Sequence, residues 1–233
     1  MDSTPSPRVS HAIDTRLSCR AFLPTPVPAA LIRQLLETAK RAPSGGNLQP
    51  WHIHVLTGTS LSEFLGLIRT RLKTDPHGEG TEYDIYPKQI TEPYLTRRSQ
   101  CGEDVYGAAG IPRENRAARM QQFARNYESF GAPVTMFFAI DRQMGLGQWA
   151  DLGMFMQNIM LLAREHGLHT CPQESWAVWH RTVAEYLKLP AELMLFCGMA
   201  LGYADTEAPI NQVRTQRAAL PEFATLHGFD GFE

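Results

Sequence analysis

Residues 39–58 read AKRAPSGGNLQPWHIHVLTG, and two different hydrophobic periods meet inside them. Upstream, Leu31, Ile32, Leu35, Leu36 and Ala39 recur at the spacing of one helix face, with Arg33, Gln34, Glu37 and Lys40 on the other. Pro28 suits the first turn of that helix, where an amide hydrogen has no partner to lose. The helix stops at Arg41-Ala42, because Pro43 disfavours helical geometry in the residue before it. Downstream, WHIHVLT (51–57) alternates with period two, placing Ile53 and Val55 on one strand face and His52 and His54 on the other. Two histidines at that spacing have the form of a metal pair. No third ligand accompanies them, so an ordinary strand face is the reading and no metal site is expected. Between helix and strand, Gly45 and Gly46 allow the backbone to approach a neighbouring group closely.

Working outward, residues 61–72 repeat the amphipathic pattern through Leu61, Phe64, Leu65, Ile68 and Leu72. Helix is expected again over 113–130, then a strand at 134–140 (VTMFFAI), a helix over 148–166 closed by Gly167, a helix over 178–188 and a strand at 194–201. Apolar residues surround most of the 148–166 helix, which predicts a central, buried position. The stretch from 73 to 118 differs. It is rich in proline and glycine, carries Tyr83, Tyr86, Tyr94 and Tyr106, and has little periodicity, the character of a lid over an active site. Residues 1–10 read as a flexible tail. No repeat or boundary divides the remainder, so 1–233 is expected to be a single α+β domain.

The chain has 22 Lys+Arg against 24 Asp+Glu, a formal charge of −2 that argues against nucleic acid as a partner. No apolar run approaches the roughly 20 residues needed to span a bilayer, so no membrane role is expected. The N-terminus lacks a secretory apolar core, which points to the cytoplasm. Cys19, Cys101, Cys171 and Cys197 are scattered without a CxxC and read as free thiols. Gly145-Leu-Gly147-Gln-Trp-Ala150 fits the GxGxxA dinucleotide fingerprint, with Glu174 at a tolerable distance for a ribose acid. Four residues separate its first glycine from the preceding strand, however, and the N-terminal half lacks alternating strands and helices. A Rossmann dehydrogenase is thus a rival reading of low weight.

Two basic clusters stand at opposite ends of the chain: Arg16, Ser18 and Arg20 at alternate positions, and Arg214 with Arg217. Alternation puts the first three on one side of an extended segment, and guanidiniums bind phosphate through paired, charge-assisted hydrogen bonds. Spacing alone leaves solvated surface arginines as the commoner explanation.

TRLSCRAFLPTPVP (15–28), the 39–58 segment, REHGLHTCPQESWA (164–177) and RTQRAALPEF (214–223) resemble, in order and position, the FMN-dependent nitroreductase family. EPYLTRR (92–98) and RNYESFGAP (125–133) are similar to its nitrobenzoate-reductase-like subgroup. The resemblance implies a mixed, mainly antiparallel sheet flanked by helices, in an intertwined homodimer. It implies FMN as bound cofactor, NAD(P)H as electron donor, and ping-pong hydride transfer through flavin N5 to a nitroaromatic or quinone-like acceptor. By that resemblance Arg16, Ser18, Arg20, Arg214 and Arg217 hold the phosphate and ribityl end. Pro43, Ser44 and Asn47 meet the flavin from the second subunit. Pro172, Gln173, Glu174 and Ser175 lie against the ring, with backbone N–H groups of Glu174 and Ser175 near N5. No catalytic side chain is assigned, since the flavin carries the chemistry. Tyr83, Tyr86, Phe123 and Trp176 are the candidates for stacking on an aromatic acceptor, with lid packing as the equal alternative. Arg97, Arg98, Arg119 and Arg125 are candidates for a substrate carboxylate or a cofactor phosphate, with solvated helix-face charges the commoner explanation. A same-fold reductive dehalogenase is suggested by Glu82 and Tyr86, and a non-enzymatic flavin-binding role stays open.

Overall fold

In the computed structural model, which describes residues 8–229, the chain order is α1 (Val9–Thr15), α2 (Ala29–Ala39), β1 (His52–Thr57), α3 (Gly58–Arg71), α4 (Tyr94–Ala108), α5 (Arg116–Ala124), β2 (Val134–Asp141), α6 (Leu146–Glu165), β3 (His169–Gln173), α7 (His180–Leu187) and β4 (Leu193–Gly202). The strands lie in the order β1-β2-β4-β3, and each neighbouring pair is antiparallel. The parallel component of the expected mixed sheet is a single bridge between Ser18 and Thr170 beside β3. This removes the Rossmann reading, which needs parallel strands joined by crossover helices. Gly145 is simply the residue that caps α6.

Alternation along β2 and β4 builds a core on each face of the sheet. Val134, Met136, Phe138 and Ile140, with Met199 and Leu201, pack against Leu35 of α2 and Leu152, Phe155 and Ile159 of α6. Phe137 and Leu195 face the other way, onto Phe64 and Ile68 of α3, Val183 of α7, and Trp176 and Trp179 of the 3-10 turn before α7. Covered on both sides, β2 is buried along nearly its whole length, as its unbroken apolar sequence requires. A Cβ on Gly198 of β4 would stand 2.3 Å from the Trp176 ring, so this strand position must be glycine for the indole to lie where it does.

Four expectations need correction. Helix α1 begins at Val9, so residues 9 and 10 belong to no tail; residues 1–7 of that expectation lie outside the described residues. The supposedly irregular lid contains the 15-residue helix α4. No α4 residue is buried, so no apolar stripe marked it in the sequence. The 113–130 helix is shorter: α5 ends at Ala124, and a 3-10 turn follows in which Ser129 and Phe130 adopt left-handed φ of 48° and 54°. Helix α6 is buried through Leu152, Phe155, Met156, Ile159, Met160 and Ala163, but Leu146, Gly147, Ala150, Gly153 and Met154 leave one stripe uncovered.

Candidate functional site

A cavity of about 900 Å³ lies between the sheet body and the lid, at the upper end of the size range of small-molecule sites. Cys171 to Ser175, Phe196, Cys197, Gly153, Met156 and Arg20 form its body wall. Its lid wall is Tyr86, Phe123 and the α4 residues Arg98, Cys101, Gly102, Val105 and Tyr106. The α4 set recurs at three- and four-residue spacing, so one helix face is turned to the cavity.

The body wall is positioned by hydrogen bonds between segments far apart in sequence. Cys19 N–H donates to Thr170 O at 3.0 Å, and the Ser18–Thr170 bridge lays the N-terminal segment along β3. Leu17 and Cys19 point into the core while Arg16, Ser18 and Arg20 stay half-buried, the alternation of an extended segment. Asn211, fully buried, fixes the next residues: its Oδ1 accepts from Arg20 N–H at 2.7 Å, and its Nδ2 donates to Ala21 O and Asp205 O, each at 2.8 Å. Burial, and after it the nearby charge of Arg217, lowers the Arg16 pKa from its ordinary value. The charges of Arg20 and Arg16 both bear on Cys171. Among the described residues, none of Arg16, Arg20, Arg214 and Arg217 forms an ion pair. Guanidiniums from both chain ends are thus gathered without a counter-charge, a donor set suited to phosphate.

Where β3 ends, a 3-10 turn from Glu174 to Trp179 begins, and its leading N–H groups have no intrahelical acceptor. Gln173 holds this corner: Nε2 donates to Asn126 O at 2.8 Å, and Oε1 accepts from Trp176 Nε1 at 3.4 Å. Ser175 Oγ is buried with no protein partner. Desolvation raises the Glu174 carboxyl above its ordinary range. Burial also pushes the Cys171 thiol up to about 11 and the Cys197 thiol well above its usual value, so both line the cavity as neutral, weakly reactive groups. Arg20 on the wall, with the charges of Arg20 and Arg16 bearing on wall residue Cys171, the unpartnered Ser175 Oγ at the β3 corner and an apolar, aromatic remainder fit a planar phosphorylated cofactor.

The sequence candidates divide accordingly. Arg20, Pro172, Gln173, Glu174, Ser175, Tyr86 and Phe123 line the cavity. Arg16 and Ser18 adjoin it along β3. Arg217 and Arg214 are both absent from the wall and both bond back to nearby backbone, Arg217 to Thr215 and Gln216 and Arg214 to Asn211 O and Val213 O; what separates them is that the charge of Arg217 bears on Arg16. Pro43, Ser44 and Asn47 are also absent from it. They belong to a turn beside α6, tied by Gly45 N–H to Asp151 Oδ2 at 3.1 Å, in which Gly46, Asn47 and Gln49 hold left-handed φ of 57°, 57° and 50°. Trp176 is a correction. It is fully buried among Phe64, Tyr127 and Phe137 at centroid distances of 5.5, 5.5 and 5.3 Å, so it supports the floor and cannot stack on a substrate. Tyr83 is a second correction: its hydroxyl donates to Phe196 O at 2.6 Å and its ring packs on Trp149 and Phe196, outside the cavity wall.

The lid is held by polar tethers that sequence did not reveal. Glu79 Oε2 accepts from the N–H groups of Arg181 and Thr182, both at 3.0 Å, and its Oε1 accepts from Thr182 Oγ1 at 2.6 Å. Arg181 and Thr182 are the second and third residues of α7, whose own capping position is Trp179, a residue with no acceptor. A lid carboxylate therefore does the work of an N-cap for a helix of the body. Arg97 pairs with Glu222 at 2.9 Å, Arg119 with Glu103 through bonds of 3.0 and 2.8 Å, and Glu82 with Arg142 at 2.8 Å and His180 at 3.4 Å. Arg98 instead lies over the Tyr86 ring, 4.1 Å from its centroid. Neither Asn211 nor Glu79 had a signal to find it by, each being one polar residue in a polar, non-periodic stretch. Among the described residues, no group of three or more His, Cys, Asp or Glu could hold a metal, all four cysteines are free, and no helix is long and apolar enough to cross a membrane.

The Nitroreductase family model matches residues 13–203. A 4-nitrobenzoate reductase of Pseudomonas putida is 38% identical over 221 residues, covering 94% of this chain and 95% of that protein. A nitrobenzene nitroreductase of Ectopseudomonas oleovorans is 36% identical, covering 95% and 97%. The solved structure of the FMN- and NADPH-dependent nitroreductase NfnB from Sphigopyxis sp. strain HMH superposes with a TM-score of 0.92 at 45% identity, over 95% of this chain and 100% of that one. With the antiparallel sheet and the arginine-lined cavity already described, a match of this extent means that the chain belongs to the nitroreductase family.

Proposed function

We propose that this protein is an FMN-dependent NAD(P)H nitroreductase acting on nitroaromatic acceptors. The observation that carries the reading is a largely apolar and aromatic cavity with Arg20 on its body wall, the charges of Arg20 and Arg16 both bearing on wall residue Cys171, and that of Arg217 bearing on Arg16. Bound FMN would supply the hydride and electron transfer between NAD(P)H and the acceptor. In this assignment Arg16, Arg20 and Arg217 hold the phosphate, with Arg217 preferred to Arg214 because its charge reaches Arg16. Ser18 lies beside them on the β3 edge. The leading N–H groups of Glu174 and Ser175 offer donors to the ring edge where negative charge develops. Met156, Phe196 and the two neutral cysteines exclude water from that edge. Tyr86 of the lid and Phe123 of α5 supply aromatic surface to the acceptor.

We further propose a homodimer, in which Pro43, Ser44 and Asn47 complete the site of the second subunit. An exposed turn that keeps Asn47 and Gln49 in left-handed conformations is under strain, as expected of a segment that another surface stabilises. The uncovered Met154 of α6 and the exposed Val9 and Ile13 of α1 are apolar surface available for that contact. Four free thiols favour a reducing compartment, the cytoplasm. Glu82 is occupied by Arg142 and His180 outside the cavity, which weighs against the dehalogenase alternative.

The test is spectroscopic. Purified protein is expected to show flavin absorption, to bleach with NADPH and to recover its colour when a nitroarene is added. A colourless protein that cannot be reconstituted with FMN would overturn the proposal.

A further inference from the structure

We infer that Arg98 is a specificity-determining residue that binds an anionic substituent of the acceptor, so that the preferred substrates are aromatic acids carrying the reducible group. The choice of a nitroaromatic acid rests on the nitroarene reading above. The argument begins with charge. Three charged side chains line the cavity: Arg20, Arg98 and Glu174. Arg20 belongs to the group around Cys171 on the body wall. Glu174 is disfavoured as a charge by its desolvation. That leaves Arg98, on the lid wall, as the cation facing the remaining space.

The neighbouring lid cations are committed elsewhere. Arg97 pairs with Glu222 and Arg119 with Glu103, whereas Arg98, one residue along from Arg97, has no carboxylate partner among the described residues. Its guanidinium is stacked on Tyr86 at 4.1 Å, and Tyr86 is itself part of the cavity wall. The ring contact restrains the guanidinium without using its N–H groups, which suits bidentate recognition of a planar carboxylate. Tyr106 and Phe123 line the same cavity and give an aromatic ring a surface to pack on beside the exposed Arg98. An acceptor with its reducible group at the β3 corner and a carboxylate toward α4 would engage both walls. A neutral acceptor would leave Arg98 without a counter-charge.

The experiment compares wild-type, R98Q and R98K holoenzymes in two measurements. The first is the dissociation constant of benzoate and of nitrobenzene from the oxidised holoenzyme, read from perturbation of the flavin spectrum. The second is kcat/KM for 4-nitrobenzoate and for its methyl ester at saturating NADPH. Loss of one charge-assisted, bidentate contact is expected to weaken benzoate binding and to lower kcat/KM for 4-nitrobenzoate by about 10- to 100-fold in R98Q. Nitrobenzene and the methyl ester are expected to change by less than about threefold, with R98K between the two. Equal losses for acid and ester, or none for either, would overturn the inference. So would an effect confined to the KM for NADPH, read by varying NADPH at fixed 4-nitrobenzoate, which would assign Arg98 to the donor's phosphate. Benzoate binding does not depend on nitro reduction, so the two ideas fail separately. Arg98-dependent binding without turnover of any nitroarene would sink the nitroreductase reading alone.

Discussion

The two walls of the cavity are built by different physics. The body wall rests on tightly packed apolar groups, with Trp176, Phe64, Phe137 and Val183 beneath the β3 corner and Asn211 locking the arginine segment from inside the protein. The lid wall has no buried residue in α4 and is tied down by Glu79, Arg97, Glu103 and Tyr83 through hydrogen bonds and ion pairs. Hydrophobic burial is cooperative and hard to undo locally, whereas exposed ion pairs contribute little and are screened by salt. The contrast suits a site that must hold one ligand and exchange others. On the proposed function, the packed wall would keep the cofactor and the tethered wall would yield to admit donor and acceptor in turn.

The largest expected effect comes from breaking the fixed wall. Trp176→Ala empties a fully buried indole site and is expected to cost about 3–5 kcal/mol of stability, measured by denaturant unfolding. Gly198→Ala attacks the same contact from the strand side, forcing apart groups that would stand 2.3 Å from each other. A Trp176→Ala protein of unchanged stability would mean that the indole does not support the corner. Next comes the arginine group. Arg16→Ala is expected to raise the dissociation constant of FMN by about 10- to 100-fold, with the loss shrinking as salt screens the remaining guanidiniums. Fluorescence titration with FMN at two ionic strengths measures it. Unchanged retention would mean the phosphate binds elsewhere.

These two sites also separate what sequence could tell from what it could not. Strands β1, β2 and β4 and helices α2, α3 and α6 were legible because each presents a clear apolar period to a core. Strand β3 was not, since HTCPQ carries a proline; the strand tolerates it because it lies at the sheet edge, where a missing N–H breaks no ladder. Helix α4 was invisible for the opposite reason, its one distinctive face being turned to a cavity and not to a core. The arginine and PQES motifs were legible through resemblance, but resemblance could not orient single side chains. In the 3-10 turn, Ser175 faces the cavity wall and Trp176 the core, one residue apart, and no periodicity predicts which is which. Glu79 and Asn211 act across about 100 or more residues of chain. Long-range single contacts leave no local pattern to read.

The lid can be loosened at its root without touching the cavity. Glu79→Ala removes the acceptor for the Arg181 and Thr182 N–H groups and is expected to cost about 1–2 kcal/mol, the usual effect of losing a helix cap. Hydrogen exchange at the start of α7 and around residue 79 should accelerate while the central sheet stays protected. Uniform acceleration would show that lid and body unfold as one unit. On the fixed wall, Glu174 provides a pH test. Its folded pKa is raised by desolvation above the ordinary 4.5, so the native state holds its proton more tightly than the unfolded chain does. Below the unfolded value both states are protonated and nothing is lost; as pH rises through the folded value, ionising the buried group lowers stability. Glu174→Gln should therefore be more stable than wild type at about pH 7.5 and indistinguishable from it at about pH 3.5. A melting-temperature gap that widens toward acid would reverse the assignment.

The smallest expected effect is the most diagnostic of the contrast between walls. Arg97 and Glu222 form a 2.9 Å ion pair between α4 and the C-terminal segment, with both side chains substantially exposed. Arg97→Ala should change global stability by less than about 1 kcal/mol, within the range of solvated pairs. Its consequence should appear in opening instead. If this pair helps to hold α4 against the body, its loss raises the population of open lid, and the KM for the acceptor shifts with little change in melting temperature. Raising salt in the wild type should mimic the substitution, because screening and deletion act on the same Coulomb attraction. A salt response that persists unchanged in Arg97→Ala would place the yielding contact elsewhere on the lid, at Glu103–Arg119 or at Glu82–Arg142, and the same pair of measurements on those residues would locate it.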